Sequence, residues 1–196
     1  MRSLNRLLAA ASLAAAGSAI AAPAAPTARI EAYDDAVIAV MKQRAPMKAR
    51  VDQFGSVVAS YYDMPGIAAL VIGPGWATSS AADRATLTAA LARHSAISLA
   101  RNFKSFGGER FVVDPAVQQR GDSMIVKVTI VSSGKDVLYF RLHQAGGNWA
   151  IVDVISGGVS QLAVQRADLA GTAASGGAAA VARRLAQLDA KALAGG

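Results

Sequence analysis

Few side chains in this sequence could do acid–base or metal chemistry. There are two histidines, His94 and His143, and no cysteine. Two histidines cannot build a three-histidine metal site, and neither H-E-x-x-H nor H-x-H spacing occurs. Each reads most simply as a packed or surface residue, His94 in mid-helix and His143 at a strand end. Zero cysteines exclude a thiol nucleophile, a disulfide framework and a Cys-based zinc site. No G-x-S-x-G, Walker A or G-x-G-x-x-G sequence appears. Among the carboxylates, Asp34 and Asp35 are adjacent on a helix and so point in different directions. Asp153 lies inside an apolar strand, where it needs hydrogen bonds or a basic partner. Its simplest role is to brace the turn that follows, Gly157-Gly158-Val159-Ser160, with Ser160 near a helix cap. The alternative is a working acid in a cone-shaped pocket.

These residues must be held by helices, then strands, then helices. Ile30, Tyr33, Val37, Val40 and Met41 fall at helical spacing from Arg29 onward. Pro46 ends that helix or opens the next. Val51, Phe54, Val58 and Tyr61 mark a second helix, and Ile67 to Ile72 a short third one, stopped by Gly73-Pro74-Gly75. Ser80 and Asp83 fit a capping box at the head of a long helix carrying Leu87, Leu91 and His94. After Gly107-Gly108 the period changes to two. Arg110–Val113, Met124–Val131, Val137–Leu142 and Trp149–Ile155 read as strands joined by turns at Ser132–Lys135 and Ala145–Asn148. Helical spacing returns from Val159, breaks at Gly176-Gly177 and resumes from Ala178 to Leu193. The expected fold is α+β: an antiparallel meander of about four strands packed against helices from both ends of the chain.

The first 21 residues suggest a destination. Arg2 and Arg6 precede an uncharged run, Leu7 to Ala16, and Ala19-Ile20-Ala21 is an A-x-A site. That order predicts a secretory signal peptide cut after Ala21. Residues 22–28, rich in Pro and Ala, read as a disordered leader, and residues 29–194 as a single domain. Export with zero cysteines points to a bacterial periplasm. The whole chain of 196 residues carries 20 Lys+Arg against 13 Asp+Glu, a net charge of +7. Without Arg2 and Arg6 the basic count falls to 18 and the net to about +5. Export makes nucleic acid an unsuitable partner for Arg101, Phe103, Lys104 and Phe106, and the positive balance then suits anionic lipid or an acidic protein surface.

Aliphatic residues without a reactive set suit the binding of something apolar. A buried methylene contributes about 0.8 kcal/mol, so a 16-carbon tail costs on the order of 12 kcal/mol to expose to water. A carrier with an apolar cavity removes that barrier. Its sheet wall would be Val126, Val128, Ile130, Leu138 and Phe140, and its helical wall Phe54, Val58, Leu70, Leu87 and Leu91. An ordinary dry core built from the same residues is the competing reading.

Two stretches resemble a known family. Ala68–Trp76 (AALVIGPGW), then Thr78–Arg84 (TSSAADR) and a long helix to Phe103, resemble the MlaC / toluene-tolerance family. Asn148–Ser160 (NWAIVDVISGGVS) is similar to that family's W-x-x-x-D-x-x-x-x-G-V-S pattern, with Trp149, Asp153, Gly158, Val159 and Ser160 in place. The resemblance spans Ile30 to Leu188 and looks closest to the hopanoid-associated HpnM branch. It implies a periplasmic auxiliary component of an ABC-type lipid transport system. Such a carrier shuttles phospholipid or hopanoid between inner- and outer-membrane complexes, with acyl chains between sheet and helices. It implies no cofactor, no metal and no catalytic residue. A non-catalytic adaptor docking through its basic surface is a further alternative, and a monomer is expected.

Overall fold

The computed structural model describes residues 25–194. The expected signal segment and its cleavage site lie outside them. Four helices come first: α1 (Pro26–Lys42), α2 (Met47–Tyr61), α3 (Met64–Ile72) and α4 (Ala81–Asn102), with a 3-10 turn at Gly73–Trp76 between the last two. Five strands follow: β1 (Arg110–Arg120), β2 (Ser123–Val131), β3 (Lys135–Ala145), β4 (Asn148–Ser156) and β5 (Val159–Ser160). Helix α5 (Gln161–Ala194) closes the described chain.

The helix starts follow local chemistry. Helix α1 begins at Pro26, three residues before the expected start, because proline's fixed φ and missing N–H suit a first helical turn. Thr27 and Ala28, expected in the leader, are therefore helical. Asp63 caps α3 by accepting from the Gly66 N–H at 3.0 Å. Gly66 is required there, because a Cβ would lie 2.0 Å from the Asp63 carboxylate. At α4 the Ser80 hydroxyl accepts from the Asp83 N–H at 3.0 Å and donates to its carboxylate at 2.7 Å, so the shortened capping box forms.

The sheet is an antiparallel meander in the order β1-β2-β3-β4-β5. Cross-strand pairs Met124↔Leu142, Val126↔Phe140 and Val128↔Leu138 align its inward face. Two strand expectations change. The first strand runs on to Arg120, with an irregularity between Val113 and Val117. There the Ala116 N–H donates to the Asp114 side chain, and Pro115 can offer no N–H, so the ladder bulges and then resumes. The segment read as the head of the last helix first pairs with β4 as the two-residue strand β5, giving five strands where four were expected. The expected glycine break is present inside α5: Gly177 has φ 60° and ψ −155°, a conformation that kinks the helix.

One core joins sheet and helices. Ile30 and Val37 from α1, Phe54 and Val58 from α2, Leu87 and Leu91 from α4, and Val181 from α5 are fully buried with Val126 and Val128. Tyr33 anchors α1 against this core, its ring centroid 5.5 Å from that of Phe140 in an edge-type contact at 64°.

Candidate functional site

Asp153 is buried at 7% exposure, and both of its oxygens are engaged. Oδ2 accepts from the Ser160 hydroxyl at 2.6 Å, and Oδ1 from the Leu162 N–H at 3.0 Å. The Ser160 oxygen in turn accepts from the Ala163 N–H at 3.0 Å. Arg141, the cross-strand partner of Asp153, lies 3.9 Å away. The carboxylate thus satisfies the Leu162 amide and the Ser160 hydroxyl the Ala163 amide, two donors that the start of α5 would otherwise leave orphaned. Gly157 and Gly158 (φ 56° and 79°) turn the chain back so that Ser160 reaches Asp153. Trp149 is half-buried, and its carbonyl accepts from Arg29 Nε at 2.9 Å, tying β4 to α1. Asp153 and Ser160, brought together by the Gly157-Gly158 turn, therefore tie β4 to the start of α5, while Trp149 is held separately by Arg29. Both carboxylate oxygens of Asp153 are thus engaged within the fold.

Both histidines meet carboxylates that sequence reading did not pair with them. His143 Nε2 lies 2.7 Å from Asp63 Oδ2, joining β3 to the cap of α3. His94 Nδ1 lies 2.6 Å from the buried Asp189, joining α4 to α5. The Asp63-Met64-Pro65-Gly66 sequence marks a helix cap, a signal from which Asp63 could have been found. Nothing local marks Asp189. Among the described residues no group of three or more His, Asp or Glu could hold a metal.

The residues expected to wall an apolar cavity fall into three groups. Phe54, Val58, Leu87, Leu91, Val126, Val128 and Phe140 are 0–2% exposed and pack on one another in the core. Ile130 and Leu138 are half-buried on the same sheet. Leu70 was expected in the helical wall but is 42% exposed. Its neighbours Val71 and Ile72 are the ones turned inward, because α3 presents its 67–68 and 71–72 positions to the core.

An open cleft lies beside that core. It measures about 640 Å³ and runs between the end of α3, the 3-10 turn and the first half of α5. Val71, Ile72 and Pro74 form one wall, and Ala163, Ala167, Ala170 and Ala174 the other. Small side chains on α5 leave the space open, and Gly177 lies at its end. Arg166 is the one charged residue lining it, and it makes no ion pair among the described residues. Val71 and Ile72 also belong to the core, so cleft and core share a wall.

A second, smaller cleft of about 300 Å³ opens between α1 and β1. Glu31, Asp34 and Asp35 line it from the helix. Asp34 is 3% exposed, and neither of its oxygens has a hydrogen-bond partner among the described residues. Burial, with Asp35 and Glu31 beside it, raises its pKa from 3.8 to about 8. Nearby, burial pushes Tyr62 up to about 12, while its hydroxyl lies 3.1 Å from that of Tyr33.

Residues 31–187 match the family profile described as MlaC protein. The chain belongs to the MlaC family. The MlaC-like fold also appears in a solved structure, a phospholipid-binding protein from Ralstonia solanacearum in complex with a phospholipid. The two share 17% sequence identity and superpose with a TM-score of 0.71, over 87% of this chain and 99% of that one. At that identity the MlaC-like architecture is what they have in common. No curated protein sequence matches the chain.

Proposed function

We propose that this MlaC-family protein is a periplasmic lipid carrier, exported by a cleaved signal peptide and working as a monomer. Its partners would be an inner-membrane ABC-type complex and an outer-membrane complex, between which it shuttles lipid. The observation that carries this reading is the apolar cleft of about 640 Å³ on a fold that a phospholipid-bound protein shares. Its size falls in the range of roughly 300–1,000 Å³ typical of small-molecule sites. The acyl chains enter between the 3-10 turn and α5. They reach the sheet face of Val126, Val128, Ile130, Leu138 and Phe140 by parting it from Phe54, Val58, Leu87 and Leu91. Arg166 stands at the cleft with no ion-pair partner among the described residues, a cation suited to a headgroup phosphate. That favours phospholipid over a neutral hopanoid as the cargo.

Native mass spectrometry of protein purified from the producing cells tests this directly. The expected result is a co-purified lipid, with its mass separating phospholipid from hopanoid. Protein that carries no lipid, and takes none up from phosphatidylglycerol vesicles, would overturn the reading. Ala167→Trp should fill the cleft and lose the lipid while the fold persists. Val128→Trp should do the same from the sheet side, and unchanged lipid content in that variant would confine the cargo to the cleft. Arg166→Gln should lower retention of phospholipid without affecting a neutral lipid. Transfer of labelled lipid between two vesicle populations measures the shuttling itself.

A further inference from the structure

Asp34 is the least satisfied group in the described structure. A buried carboxylate with neither oxygen bonded is rare and calls for a physical reason. It lines the cleft of about 300 Å³ with Glu31 and Asp35 on the α1 side and Phe111, Val112 and Val113 on the β1 side. Three acidic residues therefore gather at one cleft in a chain whose net charge is +7. None of the three takes part in an ion pair among the described residues. The cleft also lies at the end of the sheet. β1 is the terminal strand of the order, 11 residues long, and Val112 on it is 50% exposed.

We propose that this cleft receives a lysine or arginine side chain from an extended segment of a partner protein laid along β1. The chemistry is complementary at each point. A terminal strand offers backbone groups to an incoming strand, and an exposed valine offers apolar contact. The cleft is large enough for one long basic side chain. Glu31 and Asp35 are exposed and would pair with the incoming cation, while a turn of Asp34 about χ1 would bring its carboxylate to the same charge. The empty cleft leaves Asp34 neutral near pH 7, and a cation beside it favours the ionised form. Anionic membrane lipid is repelled by the exposed carboxylates of Glu31 and Asp35.

The test uses the mature protein and a fluorescein-labelled peptide, Thr-Val-Lys-Val-Thr-Val, followed by anisotropy. The expected result is saturable binding that weakens at least tenfold when the peptide's lysine is replaced by glutamine. Asp34→Asn, Glu31→Gln and Asp35→Asn should each weaken it threefold or more, and amide resonances of residues 111–113 should shift on binding. Glu31 and Asp35 are exposed, so their variants report on binding without endangering the fold. Equal affinity for the glutamine peptide, or variants that bind like the parent, would overturn the proposal. Displacement of the peptide by millimolar ethanolamine would assign the cleft to a small amine and overturn docking along β1. Lipid content should be unchanged in all three variants, so this inference and the carrier reading can fail separately.

Discussion

Of the three buried aspartates among the described residues, Asp153 and Asp34 live under opposite conditions. Asp153 accepts from a hydroxyl and a backbone amide and stands near Arg141. Asp34 accepts from nothing and is surrounded by further carboxylates. Burial alone therefore says little about what a carboxylate does. Asp153 lies where a turn delivers the Ser160 hydroxyl and the orphaned Leu162 amide of a helix start, and its two oxygens accept from them. Asp34 lies in mid-helix, where the backbone amides are already used. One aspartate ties β4 to the start of α5, and the other lines a cleft with no partner among the described residues.

The comparison can be broken in order of expected effect. Asp153→Ala should cost about 3 kcal/mol in urea unfolding, since it strands the Ser160 hydroxyl and the Leu162 amide and uncaps α5. A loss below about 1 kcal/mol would show that the brace is dispensable. Asp153→Asn keeps the shape but weakens the accepting oxygens, and an intermediate loss is expected.

Ser160→Ala removes one link from the same chain and should cost about 1–2 kcal/mol. Asp34→Asn should act in the opposite direction. At pH 9 it should raise thermal stability by at least about 1 kcal/mol, because the neutral amide avoids burying a charge. No gain would mean that water or a counter-ion already serves Asp34.

The pH dependence follows from the same group. The pKa of Asp34 is raised on folding, so the native state holds its proton more tightly than the unfolded chain. Its contribution is full below about pH 4, the ordinary carboxylate range, and is lost as pH rises toward about 8. Asp34→Asn should flatten the part of the stability profile that falls through this window, and matching melting curves across pH 5–9 check it. The smallest effect is expected from Asp35→Asn. This exposed side chain should change stability by less than about 0.5 kcal/mol, while a small downward shift in the Asp34 titration, followed by carboxyl NMR, reports the lost repulsion.

Much of the architecture was legible in local chemistry. Ser80 with Asp83, the Gly157-Gly158 turn and the alternation of Met124 to Val131 each act within a few residues, and each appears as read. The brace of Asp153 and Ser160 was legible for the same reason, since the two lie only seven positions apart. The first strand was read too short because Asp114-Pro115-Ala116 breaks the alternation, and only pairing with β2 carries the strand across it. Leu70 was misplaced because one aliphatic residue in an apolar helix looks like its neighbours until packing chooses a face.

The sequence by itself determined the element order, the helix caps, the apolar content of the core and the family, because these depend on residue types and short spacings. Tertiary structure alone decided which carboxylates meet which partners. Asp63 and His143 are 80 residues apart, and His94 and Asp189 are 95 apart. It also decided that Asp34 would meet no partner among the described residues. A short-range pattern specifies what a residue needs, but only packing of distant elements determines whether anything arrives to meet that need.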